Sequence, residues 1–485
     1  MKKWISLILV LVMMLSLCAC SCSEEKPGAA NSETQATTAP AEPTGAQVGF
    51  AREKMMPEGI VTIAGGEDPN RLSDEGYREF LTTTCIAFKD GENIVLLYTV
   101  DMQCLTTTFL GNSKETISQA TGVPTANIMI SCTHDHSSPS HVLSHTGIGE
   151  FQGGAFKTAL VESGKKAIAD LAPADIYIGS TQSEGMIFVR HYNMKDGSVA
   201  GPAYGNLVTD EIVGQAYDGD AEIQIVKFDR QAAGKKDIVL FNLGAHATYF
   251  SSTATRMLSS DFPGPARDYV EANAGVHAAY FMSAAGDQTP NTRDPKLDHD
   301  MDYKAYGQKL GQYVVDSLGG LTAVNSGNVK LTEEIFVADS NVLDTSKASQ
   351  AQALWSMFEQ QGYDIANTEA RAQGFKSIYE CRSIIMSGSY GKTKQVNINV
   401  LSVGDISFTI FSGEMFGATG RYIKDNSPYD MTFVLTCANG YNGYFPDEQG
   451  YDFGCYEAYS SYVARGTAEK IGERYIEMLK EHKGQ

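Results

Sequence analysis

Four apolar runs of strand length stop abruptly at side chains able to do chemistry, and no other feature restricts the fold of this chain as much. Residues 127–132 run into Thr133-His134-Asp135-His136, and residues 237–243 into Gly244-Ala245-His246. Residues 406–411 run into Gly413-Glu414, and residues 432–436 into a Tyr- and Gly-rich loop that holds Tyr441 and Tyr444. Short apolar runs bounded by turn residues read as buried strands. Groups on loops at strand ends converge on one edge of a rigid sheet, so the pattern points to a sheet whose edge carries the chemistry.

The rest of the chain alternates strand-like and helix-like stretches, which predicts an α/β fold. Residues 83–88 and 93–98 read as strands around the turn Lys89-Asp90-Gly91-Glu92, and residues 175–180, 221–228, 277–282 and 396–403 as further strands. Helical periodicity covers residues 113–121, 154–171, 263–272 and 302–318, a helical excursion over 346–361 and 367–384, and a closing helix over 456–483. There is no internal repeat. Residues 48–485 are predicted to form one large domain.

Ahead of that body, Lys2 and Lys3 precede an apolar run over residues 4–17 that is too short and too early for an ordinary membrane span. Leu17-Cys18-Ala19-Cys20 follows, a lipobox-like pattern in which Cys20 is the candidate for lipid modification. A signal peptide over residues 1–19 is expected, then a Ser/Thr/Pro/Ala-rich tether over 20–47 that cannot bury enough surface to fold. The implied place is a bacterial cell surface, with the chain lipid-anchored to the outer face of the cytoplasmic membrane. The formal charge of −20 offers no basic face for nucleic acid. Six cysteines lie in the body and none forms a CxxC pair, which argues against thiolate metal sites. Export permits disulfides, and Cys437 with Cys455 could pair; buried free thiols are the alternative.

On an extended backbone His134 and His136 share a face and can point into one site. Neutral imidazole is a ready zinc ligand, and a catalytic zinc needs about three protein ligands with one position open. Two histidines bonded to a loop is the plain alternative. Ser137 and Ser138 break the HxHxDH pattern of metallo-β-lactamases. Alone, His246 is more often structural than a ligand, Glu414 reads as a satisfied edge carboxylate, and Tyr444 carries no signal.

Together these segments resemble the catalytic domain of the neutral/alkaline (non-lysosomal) ceramidase family, from VGFAREKMMPEG at residue 48 to CYEAYSS at 455. The matching motifs are THDHSSP at 133–139, GAH at 244–246, GDQTPN at 286–291, GEMFGATGR at 413–421, and the tyrosines Tyr441, Tyr444 and Tyr456. The resemblance implies layered β-sheets flanked by helices in a single catalytic domain, and a Zn2+ ion held by His134, His246, Glu414 and Tyr444. It implies catalytic roles for His136, Asp287 and Thr289, and substrate contacts for Arg190 and Tyr456. Asp101 and Asp261 lie near matched segments as candidates to support the site, with helix capping or a turn as the alternative. The activity implied is hydrolysis of an N-acyl amide in ceramide or a related lipid amide. Thr289 stands where the family has serine, and its extra methyl bears on the substrate more than on the metal. Two other classes compete: a zinc esterase or other hydrolase on the same scaffold, and a non-catalytic solute-binding lipoprotein.

Overall fold

The computed structural model describes residues 45–65, 70–201, 211–251, 255–290 and 301–484. The expected signal peptide, Cys20 and the tether as far as residue 44 lie outside the described residues. The first sheet is built from β1 (Gln47–Lys54), β2 (Thr82–Asp90), β3 (Asn93–Val100), β4 (Ile128–Cys132), β5 (Ala172–Gln182), β6 (Glu222–Arg230), β7 (Ile238–Leu243) and β8 (His277–Met282). Their order is β8-β7-β6-β5-β1-β2-β3-β4, and Thr322–Val324 pairs with β5 as a ninth strand. A second sheet runs β9 (Val329–Asp339), β10 (Thr393–Val403), β11 (Ile406–Phe411), β12 (Met431–Leu435) in that order.

Alternation along the strands stacks these sheets. On β2 and β3, Ile86, Phe88, Val95 and Leu97 share a core with Phe408, Ile410 and Phe433 of the second sheet. The Phe88 and Phe408 rings meet across that layer at 6.2 Å. Their sequence neighbours Cys85, Ala87, Leu96 and Tyr98 face the other way, towards Phe109, Leu160, Val270 and Leu310. These four belong to α1 (Thr107–Thr121), α2 (Lys157–Ala169), α3 (Pro263–Ala274) and α4 (Tyr303–Ser317). A two-residue period explains why one strand feeds two cores.

Between β9 and β10 the chain leaves the sheets for α5 (Ala348–Gln361), α6 (Tyr363–Ala372) and α7 (Ile378–Ser387). The two strands pair along their whole length, ending at Asp339 opposite Thr393. The helices between them form a knob with its own core, including Leu354, Phe375 and Ile378. After β11 comes α8 (Gly417–Asn426), and α9 (Thr467–Lys483) closes the described chain. On the outer face of the second sheet, Val396, Ile398 and Val400 pack against Ile423 of α8 and Ile471 and Tyr475 of α9. The architecture is therefore helices, sheet, sheet, helices, as layered sheets flanked by helices require.

Several boundaries differ from the sequence reading for local reasons. α1 starts at Thr107 rather than at residue 113, because the Thr106 side chain accepts from Phe109 N and caps it. The stretch expected as a helix over 154–171 begins at Ile148 and passes through a π-helical turn at Gln152–Phe156. The excursion over 367–384 breaks at Gly374, and the closing helix over 456–483 breaks between a short turn Tyr456–Tyr459 and α9, just before which Gly466 sits. Both glycines have left-handed φ, 85° and 82°, which a helix interior does not accept. The six body cysteines are buried and unbridged, so Cys437 and Cys455 do not pair. No described helix is long and apolar enough to cross a membrane.

Candidate active site

The ends of β4, β7 and β11 meet at one point. His134 and His246 are each 1 % exposed, as is Glu414, so all three are cut off from solvent. His134 Nδ1 lies 2.8 Å from Gln103 O and His246 Nδ1 lies 2.9 Å from Gln288 O. A carbonyl only accepts, so both Nδ1 atoms carry hydrogen, and in the neutral ring each Nε2 presents a lone pair. Those lone pairs face one atom: Glu414 Oε2 is 2.9 Å from His246 Nε2 and 3.3 Å from His134 Nε2. The second distance lacks hydrogen-bond geometry, and His134 Nε2 is a buried nitrogen without a hydrogen-bond partner.

This geometry tests whether a metal fits. With both rings neutral, three acceptors converge on one space, which favours a proton or a cation between them. Burial, and then Arg190, lower the pKa of His246. Burial alone would raise the Glu414 carboxyl, but the facing His134 and His246 hold it well below the usual carboxylate range. A divalent cation satisfies all three atoms, and the carbonyls behind the histidines are the partners that fix metal-binding imidazoles. The donor set of two imidazoles and one carboxylate suits zinc chemistry.

His136 stands beside this pocket. His134, His136 and His246 place one ring nitrogen each within 4.8 Å of one another, so His136 is near enough to be an alternative ligand. Burial, then His134 and His246, push its pKa well below the ordinary imidazole range. His134 and His136 do not pair through the extended backbone that their spacing predicts. The backbone is not extended there: β4 stops at Cys132 and His134 has φ 58°. The left-handed residue turns the loop and brings the rings to 4.9 Å. Gly65, with φ 86°, fits closely on His136, since a Cβ there would come 2.5 Å from His136 Cβ.

A cavity of about 570 Å³ opens over the site. Its lining includes His136, Glu414, Tyr444 and Tyr456, with Phe358, Tyr379 and Arg382 of the helical knob across from them. The Tyr444 ring lies 6.5 Å from that of His246, nearly parallel, and 5.6 Å from that of Tyr456. The hydroxyl seen on Glu414 belongs to another tyrosine: Tyr441 donates to Glu414 Oε1. Burial and the Glu414 charge push both the Tyr441 and Tyr444 phenols up, which keeps them protonated donors.

Other expected residues sit further back. Arg190 is behind Tyr444, with its guanidinium carbon 5.5 Å from the ring centroid, and does not line this cavity. Asp287 is fully buried and accepts from Gly417 N at 2.8 Å, holding the start of α8. Thr289 also lies outside the cavity lining; its hydroxyl donates to Pro290 O at 3.2 Å and its strand pairs with Phe188. Asp101 grips Arg267 through two bonds of 2.7 and 2.8 Å and is 3.4 Å from Thr133 Oγ1, so it steadies the residue next to His134. Asp261 accepts from Phe250 N and Phe262 N and serves its own turn. Tyr441, which the tyrosine motif brings in without a role, bonds Glu414, whereas nothing in the spacing of Gln103, His191 and Glu457 ties them to the histidines.

Neither a protein-family model nor a curated protein sequence matches this chain. Solved structures do. The crystal structure of neutral ceramidase from Pseudomonas aeruginosa superposes with a TM-score of 0.66 at 16% identity, covering 91% of this chain and 75% of that one. A ceramidase complexed with C2 gives 0.66 at 14% identity, with 90% and 75% covered. The fold is therefore neutral ceramidase-like.

Proposed function

We propose that this chain is a zinc-dependent hydrolase of N-acyl amide bonds, in ceramide or a related lipid amide. The observation that carries the reading is the convergence of His134 Nε2 and His246 Nε2 on one Glu414 oxygen, 3.3 and 2.9 Å away. His134, His246 and Glu414 would hold the ion, with Tyr444 beside them as a possible fourth ligand. Zinc at that point supplies Lewis acidity, which polarises a carbonyl and activates water.

The chain's own groups supply the rest. His136 is neutral and faces the cavity, so it takes the proton released when water attacks the acyl carbon. It returns that proton to the nitrogen as the C–N bond breaks, leaving a carboxylic acid, which loses its proton to solvent, and a free amine. Tyr444 remains a donor and serves the oxygen on which negative charge develops. Tyr456, Phe358 and Tyr379 offer an aromatic wall to an acyl chain. Thr289 outside the cavity argues for water over a side-chain nucleophile. An anchor at Cys20 would hold the cavity close to lipid at the cell surface, and this belongs to the same proposal.

The test is metal analysis and turnover of the purified protein with labelled ceramide and simple N-acyl amides. One zinc per chain is expected. His134→Ala should lose both zinc and activity. His136→Ala should keep zinc and lose about 100-fold or more in kcat, the size of a lost proton-transfer group. Equal behaviour of wild type and His134→Ala on every amide sinks the reading, and loss of zinc in His136→Ala moves His136 into the ligand set.

A further inference from the structure

Behind Tyr444 a buried chain of polar groups runs away from the cavity. Arg190 Nε donates to Glu457 Oε1 at 2.5 Å, and Arg190 Nη2 donates to Gly286 O at 2.6 Å. The other Glu457 oxygen lies 3.0 Å from His191 Nε2. His191 Nδ1 is 2.9 Å from the Tyr217 hydroxyl, which is 3.0 Å from Asp287 Oδ2. Asp287 Oδ1 accepts from Gly417 N, two residues beyond the short Glu414–Met415 strand. Glu457 and His191 are each 1 % exposed and Asp287 is 0 % exposed.

His191, Cys455 and Glu457 also lie close enough together to suggest a second metal site. The bonding argues otherwise. Both His191 nitrogens and both Glu457 oxygens already have protein partners, and one of those partners is a guanidinium. A metal here would have to displace Arg190 and leave its charge buried and unpaired, which is strongly unfavourable.

Charge and proton inventory give the chain its logic. Arg190 and Glu457 cancel. The two gaps from His191 to Tyr217 and from Tyr217 to Asp287 hold one hydrogen each. The network fixes the guanidinium at two of its nitrogens, Nε and Nη2. On its other side the guanidinium faces the Tyr444 ring of the cavity wall.

We propose that Glu457 and His191 are positioning residues that hold the Arg190 guanidinium against Tyr444, and so act on the reaction through Arg190. The kinetic consequence rests on the hydrolase reading; the positioning itself does not. In protein labelled with ¹⁵N at arginine side chains, Arg190 Nε–H, assigned by its absence in Arg190→Lys, should give a slowly exchanging resonance in wild type. Glu457→Gln should lose that protection, and Glu457→Asp should keep part of it. His191→Gln, the milder change, should speed the exchange without unfolding the protein. An unchanged resonance in Glu457→Gln overturns the proposal.

Turnover adds a second readout. Glu457→Gln should lower kcat about tenfold or more at unchanged zinc content, and Glu457→Gln combined with Arg190→Met should be no slower than Arg190→Met alone. Additive losses overturn the proposal while leaving the hydrolase reading intact. If wild type turns over no amide at all, the hydrolase reading falls and the resonance decides the positioning by itself.

Discussion

A half-buried histidine whose Nδ1 has no hydrogen-bond partner has a measurable consequence for stability. His141 lines the cavity, and its Nδ1 is a buried nitrogen with no hydrogen-bond partner. Burial, then His134 and His145, lower its pKa to about 4. In the unfolded chain the same ring titrates near 6.5, at a normal value. Between those pH values the unfolded state binds more protons, so stability rises with pH in this window and is lost as pH falls from about 6.5 to 4. His141→Gln removes that linkage. The difference between the wild-type and His141→Gln stabilities, measured by chemical denaturation, should fall by at most about 3 kcal/mol from pH 7 to 4. A pH-independent difference excludes it. At this scale the sequence is informative about which residue types gather, because His134, His136 and His246 end or follow strands. It is silent on conformation: the left-handed φ of His134 has no signature, and Gln103 holds His134 through a backbone carbonyl that any residue possesses.

Among the elements, the knob of α5, α6 and α7 stands apart. β9 and β10 pair without it up to Asp339 and Thr393, and its core draws on its own helices. Nothing in the two-sheet core depends on it, yet Phe358, Tyr379 and Arg382 reach the cavity. Replacing residues 343–389 with a short Gly/Asn turn should therefore leave a folded, zinc-binding protein. Its KM should rise several-fold for long-chain amides and change little for short ones, since the lost wall is the aromatic one. Aggregation, or loss of zinc, would show instead that the knob supports the sheets. The strands that carry the site were legible because they are continuous apolar runs with turn residues on both sides. β9 was not, because Glu333, Glu334 and Asp339 on an edge strand interrupt the apolar pattern. α2 and its preceding turns differ in length from the helix that the sequence predicts for a related reason. Gly153 and Gly154 look like a helix start, while the chain absorbs them in a π-helical turn.

Taken whole, the molecule places its candidate metal ligands on different sheets. His134 follows β4 and His246 follows β7 in the first sheet, while Glu414 follows β11 in the second. An ion at their meeting point would therefore cross-link layers that otherwise touch through apolar side chains. Without it, two lone pairs and a carboxylate oxygen remain face to face, and only a proton can relieve them. Proton uptake is easier in acid, so the metal-free protein should be penalised more as pH rises. Chelation of the purified protein should lower Tm, and the gap to the zinc-loaded form should widen from pH 6 to pH 8. Ligand present at about 100 times its Kd stabilises by about 2.7 kcal/mol. For a domain of this size that corresponds to a shift of a few degrees. Adding zinc back should restore Tm, and neither chelator nor zinc should move the Tm of His134→Ala. A chelator effect of the same size in wild type and His134→Ala would place the responsible ion elsewhere in the molecule. A gap that narrows with rising pH would contradict the arrangement of acceptors on which the metal reading stands.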